Sequence, residues 1–311
     1  MSILSKPFFH DEAAAFEYLE GIVWGDEPVC PHCGCTGKIK KIAANPEKRV
    51  RHGLHRCNDC RRQFTVKVGT VFEHMRIPLH KALQAVYLMC ASKKGVSAHQ
   101  LHRILEVTYK TAWFLAHRIR EAMRAGELAP FGGNGGDVQV DETFIGTDPE
   151  ANQDVRSRNY VQKMKVLTLL DRETGIARSS VIDDLKVTTI KPIVDANIAK
   201  EARIVTDEAP RFKRIATGFA GHESVNHSAD EYVRKDDPTV TTNHVENYFS
   251  VFKRGMKGTY QHCAKKHLHR YLAEFDFRYN LRSAKGVNDG ERTEAALTGI
   301  AGKRLTYRSA C

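Results

Sequence analysis

DVQVDETFIG, at residues 137–146, alternates apolar and polar side chains along its first half, which is the period-two pattern of a β-strand. Two further strand-like runs follow it, NYVQKMKVLTLLDRETG at residues 159–175 and IARSSVIDD at residues 176–184. The turn residues at 173–175 separate these two runs. Because strands joined by a short turn pair antiparallel, we expect the three runs to form an antiparallel meander.

Helices and one more strand come after the meander. KVTTIKPIVDANI (residues 186–198) is helix-like, and ARIVTDEAP (residues 202–210) indicates a short buried strand that ends at Asp207. HVENYFSVFKRG (residues 244–255) and KKHLHRYLAEFDFRYNLR (residues 265–282) both have helical periodicity. Three strands, a helix, a strand and then helices predict an α/β domain with a mixed sheet.

Glycine marks the expected start of this domain, at GGNGG, residues 132–136. Glycine has the backbone freedom that a linker needs, so we predict a linker there and a new domain from Asp137.

Three helices are predicted upstream of this linker. The first begins after Pro78, Ser97 can cap the second, and Thr108 can cap the third. The inner face of the second helix would be Leu101, Ile104 and Leu105.

The third of these helices, TYKTAWFLAHRIREAM at residues 108–123, carries basic side chains that we expect to face outward. They are Lys110, His117, Arg118 and Arg120. The order of the helices is similar to a helix-turn-helix unit, which predicts DNA contacts by Lys110, Arg118 and Arg120. A plain three-helix packing unit would show the same periodicity, and that alternative stays open.

Two Cys-x-x-Cys pairs lie near the N-terminus, separated by twenty-three residues: Cys30/Cys33 and Cys57/Cys60. Two such knuckles can close one tetrahedral Zn²⁺ site, because each two-residue gap lets both sulfurs face the same ion. The segment has few apolar residues, so its fold is expected to depend on a structural zinc. Nearby side chains remain as substitute ligands: His32, Cys35, His52 and His55.

The whole chain has 311 residues and a formal net charge of +11, which favours a polyanionic partner. Nucleic acid is the leading candidate, ahead of an anionic membrane surface. No apolar run approaches the roughly 20 residues of a membrane helix, and the N-terminus does not resemble a secretory signal. The expectation is a soluble, cytoplasmic protein that does not insert into membranes.

Three carboxylates could carry chemistry together, although each alone has an ordinary structural explanation. Asp141 lies on the first strand, Asp207 at the end of a buried strand, and Glu246 on a flanking helix. Lys253 follows Glu246 by seven residues and shares nearly the same helical face. Such carboxylates can hold two Mg²⁺ ions, which activate a hydroxyl and stabilise the leaving oxygen of a phosphodiester displacement.

At this point the sequence resembles the zinc-ribbon insertion-sequence transposases of the DDE superfamily (ISXO-like). The resemblance runs from about Cys30 to Asn280 and is carried by the CPHC and CNDC knuckles, RRQFTVKVGTVFE, TAWFLAHRIREAM, VDETFIG, VTDEAP, NHVENYFSVFKRGMKGTY and HLHRYLAEFDFRYN. It implies an RNase H-like catalytic domain in which Asp141 matches the first aspartate and Asp207 the second. Thr147 departs from the pattern, because a second glycine is expected after VDETFIG.

The third metal ligand falls within NHVEN, at residues 243–247. Members of the family have either an acid or an asparagine at this position, so Asn243, Glu246 and Asn247 are all candidates. Lys253 fits the basic residue that follows the third ligand by seven, which favours Glu246, and Asn247 is kept as an additional Mg²⁺ ligand. The histidines of the preceding segment, His222 and His227, belong either to an active-site or DNA-end loop or to a plain surface loop.

The function implied is a nucleoid-associated transposase that binds terminal inverted repeats and cuts and joins DNA strands with Mg²⁺ or Mn²⁺. Its partners would be the transposon ends and target DNA, bound by a homo-oligomer, with Lys253, Arg254 and Lys257 neutralising phosphates. Two alternatives remain: a DNA-binding regulator with an inactive RNase H-like domain, and a metal-dependent nuclease without strand transfer.

The expected domain organisation has four parts. Residues 1–75 form an N-terminal helix and zinc ribbon, and residues 76–130 form the helical DNA-binding unit. Residues 131–285 form the catalytic domain, and residues 286–311 form a C-terminal tail with a short helix.

Overall fold

The computed structural model describes residues 2–126, 129–148, 162–229 and 231–306. By packing, the chain falls into two compact units, Met1–Arg124 with Arg282–Cys311, and Ala125–Leu281. The four-part division stays a prediction. Within the described ranges, no helix combines the length and the apolar composition that crossing a bilayer requires.

The first unit begins with helix α1 (Glu12–Trp24), as the sequence predicts, and the Asp11 carboxylate caps it by accepting a bond from the Ala14 N–H. A small antiparallel sheet follows, built from β1 (Ile39–Ile42), β2 (Leu54–Cys57) and β3 (Gln63–Phe64) in that order. Phe64, Cys30 and Cys57 are buried together beneath Trp24. This core is small, which agrees with a segment that needs a metal ion for stability.

Three helices continue the first unit: α2 (Leu79–Ala91), α3 (Ala98–Leu105) and α4 (Tyr109–Met123). Both predicted caps are confirmed. The Ser97 hydroxyl accepts a bond from the Gln100 N–H, and the Thr108 hydroxyl accepts one from the Thr111 N–H. The short α3 ends at Glu106, which adopts a left-handed backbone conformation with φ of 53°, and the chain then turns directly into α4.

The second unit contains a mixed sheet with helices on both faces. Its elements are β4 (Asp137–Ile145), β5 (Met164–Asp171), β6 (Ala177–Ile182), α5 (Val187–Asn197), β7 (Arg203–Thr206), α6 (Arg211–Ile215), β8 (Gly221–Ser224), α7 (Asn243–Gly255) and α8 (Lys265–Asn280). The predicted second strand starts later than expected, and its first three residues, 159–161, lie outside the described residues.

The strand order among the described residues is β6-β5-β4-β7-β8. β4, β5 and β6 pair antiparallel, whereas β4 pairs parallel with β7, and β7 with β8. The predicted meander and mixed sheet are therefore confirmed, and the order is that of the RNase H-like fold. The sequence did not predict β8, because its four residues, GHES, have no apolar alternation.

Alternation along β4 divides its side chains between two cores. Val138 and Val140 pack against α5 and α6 on one face, together with Ile190 and Phe212. The opposite face packs against α7 and α8 through apolar residues that include Ile145, Val245, Phe249, Phe252 and Leu268. Asp141 belongs to the face of β4 that is covered by α7. Phe249 and Phe252 are buried in this core.

The GGNGG segment is a packed turn and not a linker. The Gly132 N–H donates to the Asp171 carboxylate at 3.1 Å, and neighbouring Phe131 pairs with Ile198. Gly132 has a φ of 70°, and a Cβ added there would lie 2.5 Å from the Cβ of Ala202. Glycine is therefore required for a left-handed turn and for close approach of the backbone.

The C-terminal helix α9 (Asp289–Thr298) belongs to the first unit, where it packs against α1, α2 and α4. Asn288 and Glu291 form a capping box at its start. The Arg292 guanidinium is buried and donates to the Cys90 carbonyl at 2.9 Å, which fixes α9 to α2. The short helix predicted for the C-terminus is thus present.

Helix α4 has neighbours on several sides, and this corrects the predicted orientation of its basic residues. His117, Arg118 and Arg120 are all buried, whereas we expected them to face outward. The Arg118 guanidinium donates to the carbonyls of Val71 and Glu73, each at 2.7 Å. Contacts with α2, α3 and α9 leave α4 without the single solvent face that its periodicity suggests. Only its first turn, with Lys110, is exposed.

The inner face of α3 is also only partly as predicted. Leu101 and Leu105 are buried, but Ile104 is 47% exposed.

Candidate active site

Two groups of side chains could carry chemistry, and the first is the thiol cluster of Cys30, Cys33, Cys57 and Cys60. The four Sγ atoms all lie within 4.8 Å of one another. The Sγ atoms of Cys30 and Cys60 are 3.7 Å apart, and those of Cys33 and Cys57 are 3.6 Å apart. A tetrahedral zinc with bonds of about 2.3 Å to sulfur requires sulfurs separated by ~3.8 Å. The cluster therefore fits the kind of ion predicted from the sequence.

The backbone of each knuckle supports this arrangement. Gly34, with a φ of 72°, closes the first knuckle, where its N–H donates to the Cys30 carbonyl at 2.9 Å. In the second knuckle, the backbone N–H groups of Cys60 and Asp59 favour the thiolate and lower the pKa of the Cys57 thiol to about 7. Thiolate is the form that binds metal.

The second group lines an open pocket of about 400 Å³ in the sheet unit. Asp141 lies on β4, and Asp207 is the first residue after the adjacent parallel strand β7. Because Gln139 pairs with Val205, Asp141 and Asp207 are at equivalent positions, two residues further along each strand. Glu246, in the first turn of α7, completes the acidic set. The other lining residues are Glu142, Thr143, His227, Phe249, Ser250 and Lys253.

The environment of this pocket disfavours ionisation of its aspartates. Burial raises the pKa of Asp141 to about 8, and repulsion from Asp207 and Glu246 adds to the effect. Lys253 and Arg211 act in the opposite direction on Asp141. Burial also raises the pKa of Asp207. A bound cation would reduce this repulsion between the carboxylates.

The donor set suits hard divalent cations, since Mg²⁺ and Mn²⁺ prefer carboxylate oxygens. The oxygen atoms of the three carboxylates are, however, further apart than the sulfur atoms of the thiol cluster. Among the described residues, only the four thiols bring three or more metal-binding side chains within 4.8 Å of one another. The three carboxylates therefore do not close around a single point in this structure.

The candidates for the third ligand are distinguished by their positions on α7. Glu246 lines the pocket, and its charge contributes to the raised pKa of Asp141. Asn243 and Asn247 are exposed, and neither is among the described residues that line the pocket. Lys253 is in the pocket as expected, and burial lowers the pKa of its ammonium group. Arg254 and Lys257 follow Lys253 in the sequence, and both are exposed.

Sequence patterns missed the contribution of Glu142 to the pocket and left His227 undecided between an active-site loop and a surface loop. Glu142, whose side chain is only 6% exposed, forms an ion pair with Arg211 behind Asp141. His227 reaches the pocket, where its Nε2 lies 3.2 Å from the Glu246 carboxylate. His222 does not line it, because it lies on β8 with its Nε2 3.0 Å from the Thr206 hydroxyl. Only the tertiary structure separates the two histidines, since both occur in the same polar segment.

Comparison with known proteins gives matches over most of the chain. Residues 134–280 match the family described as the ISXO2-like transposase domain, and residues 10–63 match the transposase zinc-ribbon domain of the same group. A relative from Halobacterium salinarum, named as an uncharacterized protein in transposable element ISH50, is 28% identical over 303 residues. That alignment covers 87% of this chain and 91% of the relative.

Among solved structures, the chain is similar to one in the cryoEM structure of the simian T-cell lymphotropic virus intasome in complex with PP2A regulatory subunit B56 gamma. The TM-score is 0.29 and the identity 14%, over 63% of this chain and 65% of the other.

Proposed function

We propose, because this chain belongs to the zinc-ribbon, ISXO2-like insertion-sequence transposases of the DDE superfamily, that its pocket cuts and joins DNA strands at transposon ends. The observation that supports this most directly is the convergence of Asp141, Asp207, Glu246 and Lys253 from two parallel strands and one helix. The pocket is open and lies beside the carboxyl end of β7, so a polymeric substrate can enter it.

The catalytic residues would be Asp141, Asp207 and Glu246. Bound Mg²⁺ or Mn²⁺ ions would supply activation of the attacking hydroxyl and stabilisation of the leaving oxygen. Asp141 is the common neighbour, since both of the other carboxylates raise its pKa. Asp141 would hold the metal together with Asp207 on one side and with Glu246 on the other.

Lys253 would contact the phosphate being cut. Its ammonium group is in the pocket beside Asp141, where it partly offsets the acidic charge. A phosphodiester entering the pocket brings negative charge toward these carboxylates, so a fixed cation next to them lowers the cost of binding. Arg254 and Lys257, which are exposed on the following turn, would hold the DNA backbone on either side.

The identity of the third ligand can be tested by a matched pair of substitutions in the first turns of α7. Glu246→Gln removes a charged pocket oxygen, so strand cleavage with Mg²⁺ should fall by about a hundredfold or more. Asn247→Ala removes an exposed side chain and should leave cleavage within about threefold of wild type. Cleavage of a labelled inverted-repeat end measures both. Full cleavage by Glu246→Gln together with loss in Asn247→Ala would move the ligand to the asparagine.

The thiol cluster would hold a structural Zn²⁺, with Cys30, Cys33, Cys57 and Cys60 as its ligands. All four positions are taken by protein side chains, so this ion would have no open position for substrate. Its role would be to fold the ribbon, which we propose takes part in recognising the inverted repeats.

DNA contact by the helical unit would be made by a smaller surface than the sequence suggests. A helix-turn-helix reads bases with the N-terminal residues of its recognition helix, and the exposed part of α4 is its first turn. Tyr109 is 44% exposed there and packs against His99, with Lys110 beside it. Arg118 and Arg120 are buried, so we no longer propose them as DNA contacts.

Two substitutions on α4 should therefore affect different properties, one the stability of the fold and the other the binding of DNA. Arg118→Ala leaves two buried carbonyls without their charged donor, so the free energy of unfolding should fall by about 2–4 kcal/mol. Lys110→Ala should lower the melting temperature much less than Arg118→Ala, weaken inverted-repeat binding, and reduce the slope of log K against log salt by about one. Thermal melting and binding titrations at several salt concentrations check both. A stable Arg118→Ala variant with weakened DNA binding would restore the original assignment.

The reaction itself is tested by incubating the full chain with labelled inverted-repeat ends, target DNA and Mg²⁺. A transposase gives cut ends and products in which a 3′-hydroxyl has joined target DNA. Hydrolysed ends alone would indicate a nuclease, and binding without cleavage would indicate a regulator. Because two ends must be paired for joining, we propose that the active form is a homo-oligomer on DNA.

A further inference from the structure

Glu246, the third acid, is held in an unusual way at the start of α7. Thr242 precedes the helix as its cap residue, a position where a threonine hydroxyl normally accepts a bond from a backbone N–H of the first turn. Here that side chain makes no capping bond, and its hydroxyl lies 2.9 Å from the Glu246 Oε1 atom. The hydroxyl is thus directed to the carboxylate, and Thr241 accepts a bond from the Asn243 N–H instead.

His227 meets the same carboxylate from a loop that follows β8. Its Nε2 lies 3.2 Å from Glu246 Oε1 and 3.1 Å from the Thr242 hydroxyl oxygen. The Thr242 hydroxyl donates its single hydrogen to Glu246, so it accepts from His227, and Nε2 carries the ring hydrogen. The ring's Nδ1 has no hydrogen-bond partner among the described residues. The hydrogen bond of the imidazole therefore goes to Thr242, and the Glu246 carboxylate lies within ion-pair distance of the same nitrogen.

The loop that carries His227 is fixed by Glu208, the residue after the second acid. The Glu208 carboxylate accepts bonds from the backbone N–H of His227 at 3.0 Å and of Ser228 at 3.2 Å, and from the Ser228 hydroxyl at 2.6 Å. Glu208 is otherwise exposed, so these bonds account for its placement. They connect the strand end that bears Asp207 to the loop that contacts Glu246.

We propose that His227 is a positioning residue, held by Glu208, that together with Thr242 fixes the third carboxylate for cation binding. This inference rests on the proposed function. The Glu246 side chain is 38% exposed, so packing alone does not fix its rotamer. The Thr242 hydroxyl donates to Oε1, and the His227 Nε2–H donates to that hydroxyl and lies beside the same oxygen, so the two side chains hold the carboxylate in one orientation. Hydrogen bonds to a metal-binding carboxylate commonly govern metal affinity in this way.

The test uses two substitutions at position 227 that differ in one donor. His227→Leu removes the Nε2–H, whereas His227→Gln can place an amide N–H near the same point. Binding of Mn²⁺ to the full chain, with zinc retained, can be measured by electron paramagnetic resonance without DNA. We expect about tenfold or greater weakening for His227→Leu and for Thr242→Val, and recovery of most of the affinity for His227→Gln. His262→Leu, at an exposed histidine of the same unit, should bind Mn²⁺ as wild type does.

Unchanged Mn²⁺ binding by His227→Leu, or equal weakening by leucine and glutamine, would overturn the positioning role. If His227→Leu lowers the melting temperature, Glu208→Ala provides a second test from the exposed side of the loop. This variant is expected to weaken Mn²⁺ binding as well, and unchanged binding would count against the inference. Asp141→Asn, measured in parallel, tests the metal site itself. If wild type binds no more Mn²⁺ than Asp141→Asn, the proposed function fails, whatever the result at His227.

Discussion

Replacing Asp141 or Asp207 by asparagine is expected to abolish strand cleavage while inverted-repeat binding stays intact. Divalent cations contribute several kcal/mol to the transition state of phosphodiester cleavage, and each 1.36 kcal/mol is a factor of ten in rate. Loss of one carboxylate ligand should therefore slow cleavage by about a thousandfold or more. Recognition of the ends is assigned to the first unit, so binding should remain within a few-fold of wild type. Gel shift and cleavage of the same labelled end give both quantities.

The matched control for these variants is Asp195→Asn on α5. Asp195 pairs with Lys191 and Lys200 and is not among the described residues that line the pocket, so cleavage should be unchanged. Cleavage at the wild-type rate by Asp141→Asn or Asp207→Asn would contradict the catalytic assignment. Loss of end binding along with cleavage would instead indicate a folding defect.

Stability provides an independent check on Asp141. In the folded chain burial raises the pKa of this carboxyl to about 8, whereas in the unfolded chain its pKa is about 4. Raising the pH through that interval therefore favours unfolding. Neutral asparagine removes this penalty, so at pH 7 the metal-free Asp141→Asn variant should melt no lower than wild type. Active-site carboxylates commonly carry such a stability cost.

Removing zinc is the second change with a large expected effect. Structural zinc contributes about 10–16 kcal/mol to the folding of small zinc modules, and the ribbon has little apolar core to replace it. Cys57→Ser, or treatment of wild type with a strong chelator, should release the metal, expose the ribbon to proteolysis and abolish inverted-repeat binding. Zinc content by mass spectrometry, limited proteolysis and gel shift measure the three effects.

Cys35→Ser is the matched control for the thiol cluster. Cys35 lies next to the first knuckle, but its Sγ contacts the Thr36 carbonyl at 3.1 Å and is not one of the four clustered sulfurs. This variant should retain one zinc and normal end binding. Loss of zinc in Cys35→Ser, with retention in Cys57→Ser, would show that the ligand set is wrong.

Most of the architecture could be predicted from local patterns. The strand β4, the helices α5, α7 and α8, and the caps at Ser97 and Thr108 all follow from periodicity and turn chemistry. These features depend on residues close in sequence, so one chain is sufficient to reveal them. β8 escaped prediction because a short polar strand at a sheet edge obtains its order from pairing with β7, not from its own composition.

The errors occurred where side chains depend on neighbours that are distant in sequence. Arg118 is a basic residue on a helix, yet carbonyls about 45 positions earlier take its guanidinium into the interior. GGNGG has the composition of a flexible linker, yet Asp171 and Ala202 make it a tight turn. The composition of a segment indicates which conformations it can adopt in water. Contacts with residues distant in sequence determine which of them it adopts in the folded chain.

The sequence by itself determined the thiol cluster and the mixed sheet, and it placed Asp141 and Asp207 on strands of that sheet, because knuckle spacing and strand alternation are local constraints on geometry. Only the tertiary structure decided that Glu246 faces the pocket while Asn243 and Asn247 face away, and that His227, not His222, reaches Glu246. On a helix, adjacent residues such as Glu246 and Asn247 point about 100° apart. The direction that meets Asp141 is fixed by how α7 packs on β4. That packing arises from contacts across more than a hundred residues, such as the bond from the Val245 N–H to Gln139.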